Sequence, residues 1–184
     1  MTAATRLSTR RSVAQAVVLA VVLAVTPALA RTPGEVEIGQ TLPDAVLRGL
    51  NGPNRQLSAF RGKPLIINVW ASWCGPCRQE MASLERLAWR ETDTRFAVIG
   101  VSTDDYPEKA SALLRGSNAT ISHFIDRELQ LEHLLGATQL PLTVLVDASG
   151  RVRDKVYGAR EWDSAEALAL IRRAFGPAKR APAN

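Results

Sequence analysis

Cys74 and Cys77 are the only two cysteines in this chain of 184 residues, and they are separated by Gly75-Pro76. Residues three apart on a helix are neighbours, so the two sulfurs can join with little backbone movement if a helix begins between them. The spacing alone predicts a redox couple. The first cysteine would then stand at the open amino end of the helix, facing unpaired backbone N–H groups and the positive end of the helix dipole, both of which favour thiolate over thiol. Cys74 is therefore the expected nucleophile. The dipole is worth about 0.3–1 kcal/mol, up to about 2 in sheltered places, against about 1.36 kcal/mol per pKa unit. That accounts for about one unit, so a more acidic thiol would need further N–H bonds to its sulfur. Cys77, one turn into the helix, is expected to be less exposed and to act as the resolving thiol that breaks a mixed disulfide.

Two other uses of a cysteine pair fit less well. A structural staple stabilises mainly by closing a loop of the unfolded chain, and the loop closed here is tiny. A zinc site needs four ligands, and the only other soft candidates are His123 and His133, ten residues apart and far downstream. No metal is expected, and both histidines read as surface or structural residues.

The elements that must position the pair are legible around it. Leu65 to Trp70 is a run of apolar and β-branched residues of strand length, interrupted only by Asn68 and preceded by the breaker Arg61-Gly62-Lys63-Pro64. After it, Cys77, Met81, Leu84 and Ala88 recur at helical spacing, predicting an amphipathic helix from about Pro76 to Arg90. Upstream, Ala45 to Leu47 and Gln56-Leu57 flank the turn-forming Asn51-Gly52-Pro53-Asn54 and predict a short hairpin. Downstream, strands are expected at Phe96 to Ser102 and His123 to Asp126, and helices at Pro107 to Arg115 and about Leu129 to Leu135. Pro107 suits a first helical turn, where its missing N–H is not needed. This alternation predicts an α/β fold with parallel pairing. Leu142 to Val146 and Val152 to Tyr157 around Asp147-Ala148-Ser149-Gly150 predict an antiparallel end to the sheet. A last helix is expected to open at Asp163 as its N-cap, with Glu166 three residues on, to carry Leu168, Ile171 and Phe175 on one face, and to stop at Gly176-Pro177.

The ends of the chain read differently. Arg6, Arg10 and Arg11 precede an apolar run from Val13 to Val25, then Thr26-Pro27 and Ala28-Leu29-Ala30. That order is expected of a secretory signal peptide over residues 1–30, cleaved after Ala30. A retained membrane anchor is the alternative, but the unbroken run falls short of the roughly 20 apolar residues a spanning helix needs. Arg10-Arg11 faintly resembles a twin-arginine export signal, and the export route stays open. The absence of a third cysteine near Ala30 argues against a lipid-modified amino terminus. The formal charge is +5, and residues 1–30 carry three arginines and no acids, so the remainder is near +2. A balance that small gives no case for nucleic acid. Residues 31–176 are expected to form one domain with a core of its own, 46% of the whole chain being apolar, and residues 177–184 a flexible tail.

The segment Asn68-Val69-Trp70-Ala71-Ser72-Trp73-Cys74-Gly75-Pro76-Cys77-Arg78-Gln79-Glu80 resembles the redox segment of TlpA-like and ResA-like exported thioredoxin-fold proteins. The likeness runs over about residues 36–176 and includes the hairpin, the Gly62-Lys63-Pro64 lead-in, an α/β insertion near 107–135 and the downstream Leu140-Pro141. It implies a thioredoxin fold, a central mixed sheet flanked by helices with an amino-terminal hairpin extension and a central α/β insertion. It also implies that Leu140-Pro141 is a cis bond beside the reactive disulfide. Only about 5–6% of X-Pro bonds in folded proteins are cis, so Pro141 on its own would be read as an ordinary trans strand starter. Leu140, Pro141, Trp73, Gly75 and Pro76 are then the expected substrate-binding residues, with Trp70 and Trp73 also readable as packing and rim residues. Glu80 matches an acid three positions after the second cysteine, and a half-buried carboxylate there would take or return the resolving thiol's proton. A solvated first-turn glutamate favoured by the dipole is the alternative. Thioredoxin itself carries a buried acid where this chain has Asn68, which shifts proton handling to Glu80. Ala82 and Leu142 stand where the family often has proline and threonine, and those departures bear on substrate choice.

Gly-Pro between the cysteines is similar to the dipeptide of thioredoxin rather than that of strong periplasmic oxidants, which implies a reductant. The two extremes differ by about 150 mV, roughly 7 kcal/mol for two electrons. The resemblance implies a protein-disulfide reductase that needs no cofactor beyond the Cys74–Cys77 disulfide. It would be recharged by a membrane thiol carrier of the CcdA or DsbD type and would act on cysteine pairs of exported apocytochrome c or copper-site proteins. Two rivals use the same cysteines: a dithiol oxidase or isomerase, and a Cu(I) metallochaperone with the sulfurs as soft ligands. The lack of a well-placed histidine counts against the latter, and the missing Thr-x-x-Cys arrangement excludes a peroxidase.

Overall fold

Six consecutive residues of one strand are buried here, Leu65–Trp70 (β3), so this strand must be covered on both faces. The computed structural model describes residues 33–90 and 96–176. The expected leader and tail lie outside the described residues.

The elements run, in order, as strands β1 (Val46–Gly49), β2 (Arg55–Gln56) and β3, helix α1 (Gly75–Arg90), β4 (Ala97–Ser102), helix α2 (Pro107–Gly116), β5 (Ser122–Ile125), helix α3 (Gln130–Leu135), β6 (Leu142–Val146), β7 (Val152–Tyr157) and helix α4 (Ala165–Phe175). They build one seven-stranded sheet in the order β2-β1-β5-β4-β3-β6-β7. Pairing is parallel for β3 with β4 and β4 with β5, and antiparallel for β3 with β6 and β6 with β7. The hairpin β1–β2 joins this sheet through an antiparallel contact of β1 with β5. The fold is the expected α/β thioredoxin fold, with β3 near the middle and its carboxyl end at the start of α1.

Side chains alternate across a strand, and each face of the sheet has its own core. On one face Leu65, Ile67, Val69, Ile99, Val101, Phe124, Leu142 and Val144 pack with Leu47, Leu131 and Leu135. On the other, Ile66, Val98 and Leu145 pack with Leu84 and Leu87 of α1, Ile171 of α4, and Trp162. The buried face of α1 is broader than its apolar spacing suggested, because Glu80 and Ser83 lie on it as well.

Helix α4 corrects one expectation. Its cap is Ser164, whose side chain accepts the Ala167 N–H, and the helix begins at Ala165. Asp163 instead accepts hydrogen bonds from Arg86 of α1, at 2.7 and 3.2 Å. Two potential cap residues stood side by side, and a guanidinium 77 residues away in sequence took the first of them.

Candidate active site

The reactive loop leaves β3 at Trp70 and turns at once into α1, with the Cys74 N–H bonded to the Ala71 carbonyl at 3.1 Å. Cys74 occupies the N-cap position, its carbonyl accepting the Arg78 N–H at 3.2 Å. Its sulfur accepts the Cys77 N–H at 3.2 Å, the place a cap oxygen of serine or aspartate takes in other helices. Cys74 and Cys77 form a disulfide with Cα atoms 5.3 Å apart. Cys74 is 5% exposed and Cys77 is fully buried, so an approaching group meets the first sulfur. Gly75 and Pro76 form the first turn of α1, half-buried and exposed respectively.

Both cysteines pack with Trp70, Ala71 and Met81, and Leu140 packs against the same cluster from the β6 side. The Leu140–Pro141 peptide bond is cis. Trp73 stands outside this cluster and is 71% exposed beside Cys74. Of the two tryptophans in the loop, Trp70 is core and Trp73 is rim.

Glu80 is 1% exposed, which excludes a solvated first-turn glutamate. One carboxylate oxygen accepts the Asn68 amide N–H at 2.7 Å. The other accepts the Trp162 indole N–H at 3.0 Å and the Arg160 backbone N–H at 3.1 Å. Burial raises the pKa of this carboxyl, and the Trp162, Asn68 and Arg160 hydrogen bonds offset part of the rise. Asn68 also donates to Thr143 on β6 at 3.0 Å, so the polar residue in the central strand ties helix, strand and acid together. Ser83 closes the arrangement, accepting the Trp162 backbone N–H at 3.0 Å and donating to the Glu80 carbonyl at 2.7 Å. Arg160 and Trp162, in the β7–α4 connection, escaped the sequence reading. A tryptophan in a polar turn was the available signal, since a buried indole N–H needs a partner.

His123 is also buried, at 3% exposed, and so is a structural rather than a surface residue; His133 is exposed. Neither ring nitrogen of His123, nor the Trp70 indole nitrogen beside it, has a hydrogen-bond partner. The two rings meet edge to face, with centroids 5.5 Å apart. Gly100, opposite His123 in the sheet, leaves room for the imidazole: a Cβ there would lie 2.1 Å from His123 Nδ1. His123 lines a cavity of about 90 Å³ between β3, α1 and the α2–β5 turn, with Asn68, Met81 and Leu84 among its other walls. Burial pushes the imidazole down to about 4. Among the described residues, no group of three or more His, Cys, Asp or Glu side chains is placed to hold a metal ion.

This geometry can exchange a disulfide: a reachable sulfur at a helix start, a shielded partner sulfur, and a buried carboxylate on the same helix. Comparison with known proteins agrees. The Redoxin family model matches residues 37–171. The thiol-disulfide oxidoreductase ResA of Geobacillus thermodenitrificans is 30% identical over 123 residues, which is 67% of this chain and 71% of that protein. The thiol:disulfide interchange protein DsbE of Vibrio cholerae is 33% identical over 133 residues, 69% of this chain and 70% of that protein. A crystal structure of a Chlorobium tepidum protein assigned as thiol:disulfide interchange protein DsbE superposes with a TM-score of 0.71 at 28% identity, covering 77% of this chain and 100% of that one. Family match, curated relatives and fold all converge on the redox disulfide, and the chain belongs to the Redoxin family and, within it, to the ResA- and TlpA-like thiol-disulfide oxidoreductases.

Proposed function

We propose that this chain works outside the cytoplasm as a reductant of protein disulfides, with Cys74 as the attacking sulfur and Cys77 as the resolving one. The observation that carries the roles of the two sulfurs is the Cys77 N–H held on the Cys74 sulfur at the start of α1, a bond that favours negative charge on the sulfur solvent can reach, while the thioredoxin-like Gly75-Pro76 dipeptide supports the direction. The Cys74 thiolate attacks one sulfur of a substrate disulfide, and a Cys74–substrate disulfide forms as the other substrate sulfur leaves as thiolate. Cys77 then gives its proton to the Glu80 carboxylate and attacks the Cys74 sulfur, which releases the substrate's second sulfur as a thiolate. Two electrons have passed to the substrate, and the chain is left as the Cys74–Cys77 disulfide.

Leu140, packed on the cysteine cluster, its cis-bonded neighbour Pro141, and Trp73 on the rim receive the substrate backbone, with Gly75-Pro76 forming the floor between the sulfurs. The clients we propose are cysteine pairs of exported apocytochrome c or of copper-site proteins. A membrane thiol carrier of the CcdA or DsbD type returns the electrons. The leader expected over residues 1–30 supports this location, and no helix of the described residues is long and apolar enough to cross a membrane.

Equilibration of the purified protein with glutathione tests the direction. The expected potential lies near that of thioredoxin, about −270 mV; a value near that of DsbA, about −120 mV, rejects a reductant. In cells, Cys77→Ser is expected to accumulate Cys74-linked mixed disulfides with the client, and Cys74→Ser to abolish both capture and turnover. Tight stoichiometric Cu(I) binding with negligible disulfide reduction would favour a metal carrier instead.

A further inference from the structure

Asp104 lies just beyond the carboxyl end of β4, is 2% exposed, and takes no part in the mechanism above. Its carboxylate accepts the Ser72 backbone N–H at 2.8 Å, the Ser72 hydroxyl at 2.6 Å and the Ser102 hydroxyl at 2.7 Å. The Thr103 N–H meanwhile bonds the Trp70 carbonyl at 2.9 Å, so the end of β4 is fastened to the first residues of the reactive loop. Ser72 is thus pinned on one side of Trp73, and Cys74 is pinned on the other by its bond to Ala71. Between two fixed points the intervening residue has little backbone freedom, and Trp73 is turned out to solvent.

We propose that Asp104 is a positioning residue for Cys74, holding the loop that presents the sulfur and setting the poise of the couple through its negative charge. The charge acts against the electropositive helix start. Two buried carboxylates are tied to the elements that carry the disulfide: Glu80 lies on the helix of Cys77 and turns toward Asn68 and Trp162, whereas Asp104 holds the loop two residues before Cys74. A carboxylate there disfavours the Cys74 thiolate, and with it the dithiol form, which makes the couple more reducing. The proposal rests on Cys74 being the attacking sulfur of the function above.

Two substitutions separate charge from clamp. In Asp104→Asn the amide oxygen still accepts the Ser72 N–H and the Ser102 hydroxyl, and the Ser72 hydroxyl turns to accept from the amide nitrogen, so the clamp persists without the charge. Asp104→Ala removes both and leaves the Ser72 N–H without its acceptor. The readouts are thiolate absorbance against pH, the equilibrium with glutathione, and the single-turnover rate of reduction of a disulfide peptide. Asp104→Asn is expected to form the thiolate at lower pH and to shift the equilibrium about tenfold toward the dithiol, about 30 mV for two electrons. Asp104→Ala is expected to show the same shift together with slower attack; if it does not fold, Asp104→Asn decides alone. Ser72→Ala, which keeps carboxylate and backbone bond, is expected to leave the equilibrium near wild type. Unchanged thiolate formation and equilibrium in Asp104→Asn, or a shift of opposite sign, overturns the role, whatever happens to thermal stability. Failure of the wild-type protein to exchange disulfides would sink the proposed function instead, so the two failures are distinguishable.

Discussion

The Glu80 carboxylate accepts three hydrogen bonds, from Asn68, Arg160 and Trp162, an arrangement that satisfies a carboxylate. Burial nonetheless raises its pKa, so the group sits between two opposed effects and takes up a proton at higher pH than a solvated acid does. Glu80→Gln is expected to slow the resolving step by about 10²-fold, the lower end for general acid–base catalysis. The wild-type resolving rate should climb as pH rises through the elevated carboxyl pKa, and that limb should vanish in the variant; stopped-flow decay of a preformed mixed disulfide measures both. His123 works in the opposite sense on stability. The fold keeps its imidazole neutral down to about 4, whereas an unfolded imidazole takes a proton near 6.5. Its contribution is therefore complete above pH 6.5 and drains away as pH falls from 6.5 toward 4, by roughly 3 kcal/mol. Urea unfolding at pH 7, 5.5 and 4 should show that slope in the wild type and a flatter profile in His123→Leu. A profile equally steep in the variant would remove His123 from the acid sensitivity of the protein.

At the scale of elements, α1 does two jobs that pull its sequence in different directions. Its apolar face packs on the sheet through Leu84 and Leu87, while Cys77, Glu80 and Ser83 put chemistry on that same buried face. Helical periodicity exposed the first job and put Cys77 on that face, whereas the buried Glu80 was expected only through the family resemblance, because a glutamate on a helix is ordinarily read as solvated. Helix α4 has no such conflict. Ser164→Ala removes a cap bond and is expected to cost about 1 kcal/mol of stability. Because Ser164 touches neither sulfur nor Glu80, the glutathione equilibrium should stay at the wild-type value. Thermal unfolding together with that equilibrium checks the pair of expectations. The parallel strands and the order of helices were readable from alternation, since a run of buried β-branched residues followed by an amphipathic stretch has few other solutions. The attachment of β1 to β5 was not, because two strands joined by few backbone hydrogen bonds leave no periodic signature.

For the whole molecule, what the sequence disclosed and what it withheld divide along one physical line. The Cys-Gly-Pro-Cys spacing, the strand before it and the helix after it are local, and local patterns survive in a single chain read end to end. The partners that give the site its character come from afar: Asp104 reaches Ser72 across 32 residues, Thr143 meets Asn68 across 75, and Trp162 meets Glu80 across 82. Polar contacts across such distances follow from register and topology, which composition does not encode. The indole of Trp162 has a further consequence for biogenesis. As the chain is made from its amino end, both sulfurs are in place long before this residue, and a product ending at β7 would hold the disulfide without the indole bond to Glu80. The hydrogen-bond set of Glu80 is thus completed only by the segment that follows β7.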